Sequence, residues 1–132
     1  MMAEIILPGR PYTKKNSQQI YSHGDKRSPA PSKKYKQYET DCLKMLMGYR
    51  GPKFQKGARL NLAARYWMPN RASWPDLVGL IQSTQDILEK AGVIDNDRDI
   101  VTLDGSQIMG VDKDNPRAYV VLQEVEIKEA RA

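Results

Sequence analysis

Residues 68–101 read MPNRASWPDLVGLIQSTQDILEKAGVIDNDRDIV, and the fold is decided by how this stretch divides. Pro69 to Pro75 is a loop between two prolines. Asp76–Ala91 is the clearest helix in the chain, because Leu77, Leu80, Ile81, Thr84, Leu88 and Ala91 fall on one face of a 3.6-residue period. Lys90 suits the negative end of the helix dipole, and Gly92 stands at the position after the cap where a left-handed residue is favoured. Upstream, Arg59–Met68 alternates: Leu60, Leu62, Ala64, Tyr66 and Met68 point one way and Arg59, Asn61, Ala63, Arg65 and Trp67 the other. That is the period of a half-buried strand. Downstream, strands at about Ile100–Met109 and Ala118–Ile127 flank the turn Asp112-Lys113-Asp114-Asn115-Pro116.

Toward the N-terminus, Glu4–Leu7 predicts a short strand ended by Pro8-Gly9. The stretch from Pro11 to Pro31 is rich in Lys, Ser, Asn, Gly and Pro, and Gly24-Asp25 suggests a hairpin turn. Ser32 then caps a helix running to about Tyr49, with Tyr35, Tyr38, Cys42, Met45 and Leu46 at helical spacing. The order is strand, hairpin, helix, strand, helix, strand, strand. It predicts one α+β domain over residues 1–132, a mixed β-sheet with two main helices. A chain of 132 residues holds one core and not two.

An apolar share of 40% is enough for a packed globule. No run of about 18 apolar residues is present, and MMAEIILPGRPY has neither a basic leader nor a small-residue cleavage site. The expectation is a cytoplasmic protein without a membrane partner. Cys42 is the only cysteine and His23 the only histidine, which excludes an internal disulfide, a Cys-rich zinc site and Ser-His-Asp or Cys-His catalysis resting on any other histidine. His23 reads as a solvated loop residue. The net charge of +5 is unevenly spread. Residues 1–60 carry thirteen Lys/Arg against four Asp/Glu (+9), and residues 61–132 eight against twelve (−4). The basic half suits phosphates and the acidic half a divalent cation, although a solvated basic face has the same composition.

Asp76 opens the second helix, Asp95-Asn96-Asp97-Arg98-Asp99 follows it, and Asp104 lies within the next expected strand. A hard cation such as Mg²⁺ takes one or two such carboxylates together with water and substrate phosphate, and it supports phosphodiester hydrolysis. The plain alternatives are that Asp76 is a helix cap and that Asp95–Asp99 is an acidic turn. Asp86 lies ten residues beyond Asp76, roughly 15 Å along a helix, so the two cannot share an ion and Asp86 reads as a surface or structural residue. Asp76 and Asp97 are harder to place. The helix rises about 24 Å, and five extended steps return at most about 18 Å. They can approach if the helix starts late, near Gly79 or Leu80, and they can also meet across a dimer interface; the sequence leaves both open.

Residues 68–101 resemble the signature region of RusA-like Holliday-junction resolvases. In that family a strand ending in Met-Pro or similar precedes Asp-x-Asp-Asn-Leu-x-Lys at a helix start, then Asp-x-Leu, a Lys-x-Gly-like end and a paired-acid turn. The matching positions are Asp76, Leu80, Asp86, Leu88, Ala91, Gly92 and Asp97. Pro11–Ser17 is similar to the family's Pro-x-x-x-Asn opening, and Pro31-Ser32-Lys33-Lys34-Tyr35 to its first helix entry. The resemblance implies a homodimeric α/β endodeoxyribonuclease, often phage- or prophage-encoded, that cuts four-way DNA junctions in recombination and repair with Mg²⁺ held by aspartates. It carries a metal role onto Asp76 and Asp97, with Asp104 and Asp95 as candidate further ligands. Three positions depart from the pattern. Val78 stands where the family has its second aspartate, Gly79 where it has asparagine, and Gln82 where it has lysine. Gln82 is retained as a candidate catalytic residue, able to position phosphate or water without charge.

Lys14, Lys15, Lys33, Lys34, Lys36 and Arg71 are the candidate phosphate contacts, Arg71 because it stands in the loop five residues before Asp76. Trp74 is expected to bury its ring under that loop rather than stack on an unpaired base. Two further readings stand beside the nuclease. One is a weak or inactive branched-DNA-binding protein of the same fold, the other a protein-interaction domain with incidental charge.

Overall fold

The structure, a computed structural model, describes residues 1–14, 18–23 and 26–127. It is one α+β domain with a mixed, open five-stranded sheet and two helices. The elements are β1 (Met2–Pro8), β2 (Gln18–His23), β3 (Lys26–Pro31), α1 (Lys33–Met47), β4 (Leu60–Met68), α2 (Leu77–Lys90), a 3₁₀ turn (Asp97–Asp99), β5 (Ile100–Thr102), β6 (Gln107–Val111) and β7 (Arg117–Glu124). The expected hairpin is present as β2–β3, with His23 paired to Lys26 at its closed end, while its turn residues Gly24 and Asp25 lie outside the described residues. β1 is longer than the apolar run alone suggested, because all seven of its residues pair with β7.

β4 is the centre of the sheet. It runs antiparallel to β7 on one side and parallel to β5 and β6 on the other, giving the order β1-β7-β4-β5 with β6 also on β4. The last two strands do not pair with each other: the chain crosses the end of β4, where the Asp112 N–H donates to the Met68 carbonyl at 2.8 Å, so β6 and β7 flank β4. One sequence expectation fails here, because the expected strand 100–109 is broken in two. Asn61 accepts the Asp104 N–H at 2.8 Å and donates to the Asp104 carbonyl at 3.0 Å, which holds a turn there. Just beyond it, the Ser106 hydroxyl takes the place of a backbone partner for β4, donating to Leu62 and accepting from Ala64. Asp104 therefore sits in a turn and not in a strand.

Alternate residues of β1, β4 and β7 meet the buried faces of both helices in a single core. Ser32 caps α1 by accepting the Tyr35 N–H at 3.1 Å. Tyr35, Tyr38, Cys42 and Leu46 then face inward. The Tyr66 and Thr84 hydroxyls share a 2.6 Å hydrogen bond inside the core, which ties β4 to α2. The opposite face of the sheet carries exposed Met2 and Ile6, and Met109, Val111, Val101 and Leu103 are exposed on the neighbouring strands and turn. Among the described residues no helix is long and apolar enough to cross a membrane.

Burial pushes the Cys42 thiol up to about 12 and holds the Tyr38 and Tyr66 phenols above their ordinary range. The unfolded chain releases these protons from 9.0 (Cys) and 10.0 (Tyr) upward. The folded state keeps them, so this contribution to stability is complete below pH 9 and declines as pH rises beyond it. Denaturant midpoints should therefore fall between about pH 9 and 11. Cys42 should also resist thiol reagents until the protein unfolds, and fast labelling of native protein at pH 8 would place the thiol outside the core.

Candidate functional site

The loop after β4 aims α2. Asn70 accepts the Ala72 N–H at 2.9 Å and its carbonyl accepts the Trp74 indole N–H at 2.5 Å, while Ser73 takes a left-handed conformation at φ 53°. Arg10 stacks over the Tyr12 ring at 4.1 Å and donates to the Ser73 carbonyl at 3.3 Å, tying the segment after β1 to this loop. Trp74 is not buried as expected. Its N–H turns back into the loop, and the residue stays 40% exposed.

Asp76 caps α2, its Oδ2 accepting the Gly79 N–H at 2.9 Å. The close approach needs a glycine. A Cβ at position 79 would lie 2.9 Å from Asp76 Oδ1 and 3.1 Å from Cγ2 of the fully buried Thr13. Gly79→Ala should therefore lower stability by about 1–3 kcal/mol through overpacking, more than the ~1 kcal/mol that alanine contributes in a helix. An unchanged denaturant midpoint would mean that the cap and Thr13 yield freely.

From Gly79 one flank of α2 runs along a pocket of about 110 Å³, lined by Gly79, Gln82, Ser83 and Asp86 together with Lys14 and Asp97. The helical residues recur at three, four and seven positions, the spacing of one face. Asp97 reaches this flank because the chain reverses at Gly92, whose φ of 76° suits a residue without Cβ. The Val93 N–H then donates back to the Leu88 carbonyl at 3.0 Å. Burial of Val93 and Ile94 anchors the reversal, and the Asp97 N–H donates to Glu89 Oε1 at 3.1 Å. The return thus runs beside the last turns of α2, and Asp97 comes to line the same pocket as Asp86.

The sixth lining residue, Lys14, comes from the segment after β1. Its Nζ lies 3.1 Å from Asp86 Oδ2 and 5.9 Å from the centre of the Tyr35 ring. Both partners of the ion pair are more than a third exposed, so solvent screening leaves it worth about 0–1 kcal/mol. Ser83 is buried and donates to the Gly79 carbonyl at 3.2 Å.

The pocket thus brings together three of the residues singled out from sequence, Lys14, Gln82 and Asp97, and adds Asp86 and Ser83. Asp86 is too far along α2 to share an ion with Asp76, but it faces the same pocket as Asp97. The i, i+3, i+4, i+7 spacing from Gly79 was the available signal. Asp76, Asp95 and Asp104 do not line it. Asp95 is exposed in the turn after α2, and Asp104 is exposed beside Asn61. Asp99 is buried, with Oδ1 4.0 Å from Arg59 and Oδ2 without a hydrogen-bond partner. Lys33 and Lys36 are exposed on α1. Lys34 lines a separate hollow of about 230 Å³ with Arg10, Tyr12 and Asp41. Arg71 is exposed in the loop before α2, Val78 is 71% exposed on its first turn, and Lys15 lies outside the described residues.

Two carboxylates and an amide are hard oxygen donors, and an ammonium already sits against one of them. This donor set fits Mg²⁺, which takes one or two carboxylates and completes its shell with water and phosphate oxygens. It does not make a closed cage. Among the described residues no group of three or more His, Cys, Asp or Glu is placed to hold a metal ion. No protein-family model matches the chain, and no curated protein matches it.

Proposed function

We propose that this chain is a RusA-like endodeoxyribonuclease, a homodimer that cuts four-way DNA junctions with Mg²⁺. The observation that supports it is the pocket on the flank of α2, where Asp86, Asp97 and Gln82 stand beside the Lys14 ammonium. Bound there, Mg²⁺ would activate water and stabilise charge on the leaving oxygen. Asp86 and Asp97 would hold the ion. Gln82 would orient water or a phosphate oxygen through its amide, and Lys14 would meet the scissile phosphate. Lys33, Lys34, Lys36 and Arg71 are exposed and suited to the backbone of neighbouring arms. The exposed apolar residues of the open sheet face suit a second copy of the chain, and a two-fold dimer would set two such sites on symmetry-related strands.

One observation favours a second reading, a junction-binding protein without cleavage: no trio of metal-ligating side chains forms among the described residues. A synthetic four-way junction, incubated with and without Mg²⁺, separates the two. The expected result is nicking that requires Mg²⁺, by a protein that sediments as a dimer. Junction affinity should exceed that for linear duplex and should fall by about 10³-fold or more from roughly 50 to 200 mM salt. Salt-sensitive binding without nicking in any divalent metal would favour the second reading. A flat salt profile would remove both.

A further inference from the structure

We propose that Lys14 is a built-in counter-cation of the Asp86–Asp97 pocket, which a DNA phosphate must draw away before a divalent cation is held there. The inference rests on the reading above, in which this pocket takes Mg²⁺ and phosphate together. The Lys14 ammonium lies 3.1 Å from Asp86 Oδ2, in a pocket of about 110 Å³ that Asp97 also lines. A divalent ion there would compete for the same carboxylate oxygen and be repelled by the ammonium across a few ångströms. With Lys14 in place, the two carboxylates keep only one uncompensated negative charge between them.

The ammonium is free to leave. Its ion pair is partly open to solvent, its stem is long and flexible, and its backbone lies outside the sheet and both helices. The Tyr35 ring, 5.9 Å away, offers it a second contact. A phosphate at the mouth of the pocket attracts Lys14 and repels both carboxylates, so it weakens the ion pair from either side. Asp86 is then released to join Asp97, and the phosphate supplies further oxygens to the ion. Binding of nucleic acid and of metal becomes mutually reinforcing, and each must tighten the other by the same factor.

The test is Mn²⁺ binding to the full chain, followed by the free-ion paramagnetic resonance signal, with and without a four-way junction protected by phosphorothioate linkages. Wild-type protein should hold Mn²⁺ weakly alone and about tenfold more tightly with junction, within the usual range of coupling. Lys14→Gln should hold Mn²⁺ more tightly than wild type without DNA, with a coupling factor smaller than that of the wild type and retaining only the part that phosphate ligation supplies. Lys14→Arg, which keeps the charge, should restore weak binding to the free protein. Equal Mn²⁺ affinity in free wild-type and Lys14→Gln protein overturns the proposal. If the wild type binds junction but its Mn²⁺ affinity ignores the DNA, the proposal falls while the DNA reading stands. If neither protein takes Mn²⁺ or junction, the nuclease reading falls with it.

Discussion

If the chain is the nuclease proposed above, Asp97→Asn is expected to cut the rate of junction nicking by at least about 10²–10³-fold, the loss that follows removal of one electrostatic group from a reacting centre. Asp97 is exposed and lines the pocket with Asp86, and its side chain is absent from the core. The exchange keeps size and shape, so the fold should hold. On the proposed reading this surface would face phosphate, so losing one negative charge should leave junction affinity level or higher. Asp86→Asn should lose activity similarly, because it removes the other carboxylate of the pocket. A gel-shift titration beside a nicking time course checks both halves. If nicking persists at wild-type rate in Asp97→Asn, this pocket is not the reacting centre. If binding and helical content vanish with it, the residue serves only the turn after α2.

Leu88→Ala should have the opposite profile, with a large loss of stability and no selective effect on chemistry. Leu88 is fully buried on the inward face of α2, and truncation leaves a cavity under the sheet. Such changes cost about 2–5 kcal/mol, of the order of 10 °C in Tm for a domain of this size. Met47→Ala is the control, since Met47 is 85% exposed and its loss should stay within about 0.5 kcal/mol. Thermal denaturation of both variants decides it. A Leu88→Ala protein as stable as the Met47→Ala control would contradict the placement of α2 over the sheet.

The helices were legible in the sequence because their signals are local. Ser32 and Asp76 each accept an N–H three residues on, Gly92 marks the reversal, and apolar residues recur at helical spacing. The alternation of β4 was equally plain, since a central strand buried on one face repeats every second residue. Tertiary structure alone decided how the C-terminal strands pair. The Ser106 hydroxyl bonds to the backbone of Leu62 and Ala64, residues 44 and 42 positions away, and Asn61 holds Asp104 across 43. Bonds at such separations leave no periodic trace in the chain, so an apolar run that reads as one strand becomes two with a turn between. The pocket followed the same rule. Its helical flank was implicit in the spacing of Gly79, Gln82, Ser83 and Asp86. The partners of that flank, Lys14 and Asp97, arrive from segments that only a folded sheet and a turned chain bring alongside α2.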